Sequence, residues 1–121
     1  MKKKLLSFML CILVLCGIII SYIPITGDFA LEDYASKIQS FPGNQSFGNV
    51  SSAHQAINIA KTVWNTQYPD GAYGPPYRAF YDDINHAWLV YASTGLILPS
   101  GPYILLSEKD GLVLAIWNEK F

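Results

Sequence analysis

The chain has 121 residues, 51% of them hydrophobic, and a formal net charge of −1. That length holds one domain, and nothing in the balance of charge suggests the basic face that binding nucleic acid requires. Beyond residue 27, five basic residues stand against nine acidic ones, a net −4 that suits a basic protein partner.

Lys2, Lys3 and Lys4 precede an uncharged run over residues 5–25, interrupted only by Ser7, Gly17, Ser21 and Pro24. A run of that length spans a bilayer, and the lysines before it predict that the chain beyond is exported. Residues 1–27 are therefore read as a signal peptide or membrane anchor, which places the rest in the cell envelope, outside the cytoplasm. Three fates stay open: an uncleaved anchor, a cleaved signal, or a lipoprotein. At Asp28-Phe29-Ala30 a charge stands where a cleavage site wants a small residue. Leu13 to Gly17 resembles a bacterial lipobox, with Leu15 where Gly, Ala or Ser is usual. Both cysteines, Cys11 and Cys16, lie in the apolar run, so the exported part has no disulfide, zinc-thiolate or thiol chemistry.

Residues 28–50 read as a tether or a short accessory helix. Leu31, Tyr34, Ala35 and Ile38 fall at helical spacing and favour a helix that docks, and turn formers cluster over residues 41–49. The domain proper is expected over residues 51–121. Ser52 and Gln55 make a capping box. Behind it Ala53, Ala56, Ile57, Ala60, Val63 and Trp64 keep one face apolar for about four turns. Pro69-Asp70-Gly71 and Gly74-Pro75-Pro76 end that helix and stiffen the connection to the first strand. Strands are expected at 77–81, 87–93, 103–107 and 112–118. Asp82 to Asn85 turns the chain after the first, and Asp110-Gly111 closes the last pair as a hairpin. The expected fold class is α+β, with one main helix on a three- to four-stranded antiparallel sheet.

Candidate chemistry is sparse. His54 and His86 are the only histidines, and Asp82 and Asp83, adjacent in a turn, read as solvated rather than as a desolvated base. The residues form no phosphate loop, no Ser/His/Asp set and no cysteine nucleophile. The expectation is a protein that is not an enzyme, with no catalytic residues, cofactor or metal. Tyr68, Asp70, Tyr73 and Tyr77, with neighbouring prolines, form the candidate partner-binding surface, because tyrosine on a stiff loop gives contact area at little entropic cost. The competing reading is that these rings pack the edge of the domain.

Taken in order, Ser52-Ala53, Ile59-Ala60, Val63-Trp64, Pro76-Tyr77, Trp88-Leu89-Val90, Gly101-Pro102-Tyr103-Ile104 and Lys109-Asp110-Gly111 through Trp117 resemble a family. It is the bacterial immunity proteins with a nuclear-transport-factor-2-like fold, and the resemblance covers residues 51–118. Ser100 departs from the family's usual second glycine, and Leu105 and Leu106 stand where a polar residue is common. The resemblance implies a nuclear-transport-factor-2-like or cystatin-like domain that protects its producer by stoichiometric binding of a cognate protein toxin. It carries over no contact residue. Because export is expected, the toxin should act in the envelope or arrive through it. The alternative is an exported envelope protein-binding module, similar to small α-β-β-β domains that restrain proteases. An enzymatic or small-ligand relative would need a deep pocket gathering Asp82 or a histidine.

Overall fold

A computed structural model describes residues 23–39, 45–93 and 101–119. The long helix α2 (Ala53–Gln67) starts as its sequence dictates: the Ser52 oxygen accepts from the Gln55 amide at 3.2 Å. The Gln55 side chain reaches one residue further back than a capping box requires, accepting from the Ser51 N–H at 2.7 Å. Ala56, Ile57, Ala60, Val63 and Trp64 form its buried face. The small residues let the helix lie against β2 (Gly74–Asp82), β3 (Ala87–Ser93) and β4 (Gly101–Ser107).

The architecture is α+β, and the sheet has five strands in the order β1-β2-β3-β4-β5, closed by β5 (Val113–Glu119). This corrects the expectation of three or four antiparallel strands. β1 (Ile25–Asp28) joins the edge of β2 in parallel and makes the sheet mixed. All four β1 residues are exposed, so no alternation of apolar and polar residues marks the strand. It also begins inside the segment assigned to the leader. Residues 1–22 lie outside the described residues, so the apolar run is described only at Ile23, Pro24 and Ile25. Among the described residues no helix is long and apolar enough to cross a membrane.

The sheet has an apolar layer on each face. On the α2 face, Ala79, Val90, Ile104, Leu106 and Val113 meet Trp64 and Ala60, each at most 1% exposed. Each large side chain buried there contributes about 1.5–3 kcal/mol. The opposite face carries Leu89, Leu105 and Ala115, covered by residues 29–38. Those residues form a 3₁₀ turn (Leu31–Tyr34) running into α1 (Ala35–Gln39). Leu31, Tyr34 and Ile38 pack as the helical spacing predicts, but Ala35 is exposed. Three residues per turn place Leu31 over Tyr34, and the following position rotates away.

Residues 45–50 are no loose tether. Val113 donates to the Gln45 carbonyl at 2.8 Å, Val50 donates to the Glu108 carbonyl at 2.8 Å, and Val50 is fully buried. The hairpin turn they cover depends on Gly111, whose φ of +64° is left-handed and whose open side faces the Gly48 carbonyl.

Candidate functional site

Three groups of residues offer chemistry beyond the core. The first holds the candidate partner residues. Tyr68 ends α2, and its carbonyl accepts from Gly71 N–H at 2.9 Å, closing a turn with Pro69 second and Asp70 third. Proline's fixed φ suits that second position. Residues 69–72 are all exposed, and Asp70 stands at the tip. The flanking tyrosines face inward. Tyr73 meets Trp64 edge-on at 5.2 Å, and its hydroxyl donates to Asn65 Oδ1. Tyr77 is only 9% exposed, with the Lys61 ammonium 4.6 Å from its ring centre. The four residues are neighbours, but Tyr77 is part of the core and Tyr68 and Tyr73 are half-buried against it. Desolvation holds the Tyr68 and Tyr73 phenols above their ordinary pKa.

The second group surrounds the β2–β3 turn. Asp82 is not solvated as expected; it is 4% exposed. Its Oδ1 accepts from the Ile84 and Asn85 amides at 3.0 Å, and its Oδ2 accepts from Asn85 Nδ2 at 2.9 Å and the Leu31 amide at 2.8 Å. The Asn85 side chain first, then the amides of Leu31, Asn85 and Ile84, hold the carboxyl down at about 2 against the burial that opposes them. The turn starting at Leu31 has no side-chain cap of its own, so Asp82 caps it from 51 residues away. Beside it the Tyr81 hydroxyl lies 3.1 Å from His86 Nδ1. The hydrogen bond to Glu108 is the main reason that phenol rises to about 12. His86 has a left-handed φ of +52° and a side chain 64% exposed, while His54 is exposed in the first turn of α2. The Tyr–His–Glu cluster clamps two turns together, with the His86 ring largely open to solvent. Among the described residues, no three His, Cys, Asp or Glu side chains converge to hold a metal ion.

The third group was not singled out from the sequence. Register aligns Ile25, Arg78, Tyr91, Tyr103 and Trp117 in one row across all five strands, on the face opposite α2. Tyr91 and Tyr103 stack at 4.7 Å and 7°, and Tyr103 and Trp117 at 5.2 Å and 17°. Arg78 lies 5.4 Å from the Tyr91 ring centre, and Lys37 of α1 lies 5.4 Å from that of Trp117. The three stacked rings are half-buried, and desolvation raises the Tyr91 and Tyr103 phenols. Each residue obeys the period of its own strand, but only the pairing offsets between strands reveal the row.

Comparison with family models, curated protein sequences and solved structures gives no match.

Proposed function

We propose that the chain is an immunity protein: a non-catalytic domain, held outside the cytoplasm by its N-terminal segment, that neutralises a cognate protein toxin by stoichiometric binding. The observation that supports this reading is the turn at Tyr68–Gly71. Four consecutive exposed residues, with Asp70 at the tip, are held between two tyrosines packed against the core. A stiff exposed loop loses little entropy on association, and its carboxylate matches a basic partner. The motif residues of the resemblance agree with that division of labour: Trp64, Trp88, Ile104 and Gly111 all serve the framework, leaving the turn free to vary with the partner. A nuclear-transport-factor-2-like arrangement of helix and sheet belongs to the same reading.

The test is capture with the full chain as bait, from cells and medium of the source and its close relatives, followed by co-expression. A captured protein that kills when exported alone, and is harmless once this chain is present in equal amount, supports immunity. Asp70→Lys should then reduce protection without unfolding the domain. A housekeeping envelope protein in the eluate would replace this reading with that of an envelope binding module.

A further inference from the structure

The row Ile25–Arg78–Tyr91–Tyr103–Trp117 lies at the end of the sheet where the apolar run of residues 5–25 meets the fold. Ile25 is at once the last residue of that run and the first member of the row, so no spacer separates them. If the run spans a bilayer, as the proposed function requires, the row begins within a few residues of the hydrocarbon. One extended residue covers only about 3.3–3.6 Å. We infer that this end of the domain seats on the outer membrane–water interface, with Tyr103 and Trp117 at headgroup level and Arg78 and Lys37 against anionic lipid headgroups.

Three further observations carry the assignment. The residue types are those of an interfacial belt: tyrosine and tryptophan with an apolar body and a polar edge, flanked by cations. Ile23 and Ile25, 54% and 43% exposed, are two of the three large hydrophobic side chains left exposed among the described residues. Charge is also divided along the strands. Asp28, Glu32, Asp82, Asp83, Glu108 and Asp110 gather at the far end, around the β2–β3 turn and the hairpin, with Lys109 among them. At the row itself the cations are Arg78 and Lys37, and two acids are near: Glu119, which accepts from Trp117 Nε1 at 3.1 Å, and Asp33, whose charge acts on the adjoining Tyr34. Asp70 shares this end, in the turn after α2 whose flanking tyrosines pack on the α2-side core. A domain polarised in this way turns most of its acids from an anionic surface and two cations toward it.

The experiment uses the full chain in vesicles of phosphatidylcholine and phosphatidylglycerol, with and without nitroxide-labelled lipid, reading tryptophan fluorescence. Of the three tryptophans, Trp64 and Trp88 are buried in the α2-side core. Quenching should therefore come from Trp117 and disappear in Trp117→Phe, which keeps an aromatic ring in the stack. Neutralising Arg78 and Lys37 to glutamine should lower the seated-to-unseated ratio roughly fivefold per charge, and only where phosphatidylglycerol is present. Near-UV circular dichroism checks that each variant retains its packing. Equal quenching in the parent chain and Trp117→Phe, or none in either, with the chain still floating with the vesicles, would overturn the seating and leave the anchor intact. A chain that does not float with vesicles at all would overturn both.

Discussion

Replacing Asp82 by asparagine should loosen the N-terminal layer from the sheet, by an amount that depends on pH. The carboxylate accepts four hydrogen bonds, one of them from the Leu31 amide that starts the covering turn. An amide side chain offers one acceptor and one donor. Its oxygen can keep the Ile84 and Asn85 amides, while its nitrogen would face the Leu31 N–H and the Asn85 Nδ2, both donors themselves. The folded pKa of about 2 lies below the ordinary 3.8, so the charged form is the one that folding favours. That preference is fully present above pH 3.8 and is lost as pH falls through 2. The difference converts to at most about 2 kcal/mol, and solvent near the turn trims it. In a domain of this size the melting temperature should fall by roughly 10 °C at neutral pH. The assay is thermal and urea unfolding of the full chain in detergent micelles, parent and Asp82→Asn side by side, from pH 7 to pH 2. The gap between them should narrow as the parent's carboxyl takes up its proton. A gap of the same size at pH 2 and pH 7 would refute the electrostatic argument and leave only a packing defect.

Gly111→Ala should destabilise the hairpin by about 1–2 kcal/mol or more in urea titrations, since a Cβ at φ +64° would press on the Gly48 carbonyl. Trp88→Phe removes the 2.9 Å hydrogen bond from Nε1 to the Val50 carbonyl, and equilibrium unfolding should show a loss of about 1–2 kcal/mol. The Tyr81 phenol should ionise only near pH 12, and in Glu108→Gln it should titrate closer to 10; the difference in ultraviolet absorbance against Tyr81→Phe isolates it. Ser52→Ala should cost about 1 kcal/mol, measured the same way as the hairpin variant.

The elements legible in the residues are those set by local physics. α2 has a cap, a 3.6-residue apolar stripe and a proline stop, and β3 and the hairpin alternate or run apolar between turn formers, so each declares itself within its own window. Two features could not be seen that way. β1 is a four-residue edge strand with no buried side, continuous in sequence with an apolar run that masks it. Asp82 looked like half of a polar turn because its partner, the Leu31 amide, is supplied by a segment 51 positions away. The candidate partner residues of 68–77 straddle a turn and the start of β2, and burial divides them: Tyr77 belongs to the core, and Asp70 is left at the surface. The aromatic row exists only once four pairing registers are fixed, and no single window contains them.

The layer opposite α2 joins opposite ends of the folded chain. Tyr34 packs on Trp117 at 5.6 Å, and α1 rests on β5, the last strand to be synthesised. Residues 25–31 find partners in β2 and the β2–β3 turn, but the packing around Tyr34 is complete only once β5 has formed. The layer opposite α2 therefore stays incomplete until the strand most distant in sequence is in place. Contacts of such long sequence separation also slow folding. The same wiring that completes the domain therefore defers its completion to the last strand of the sheet.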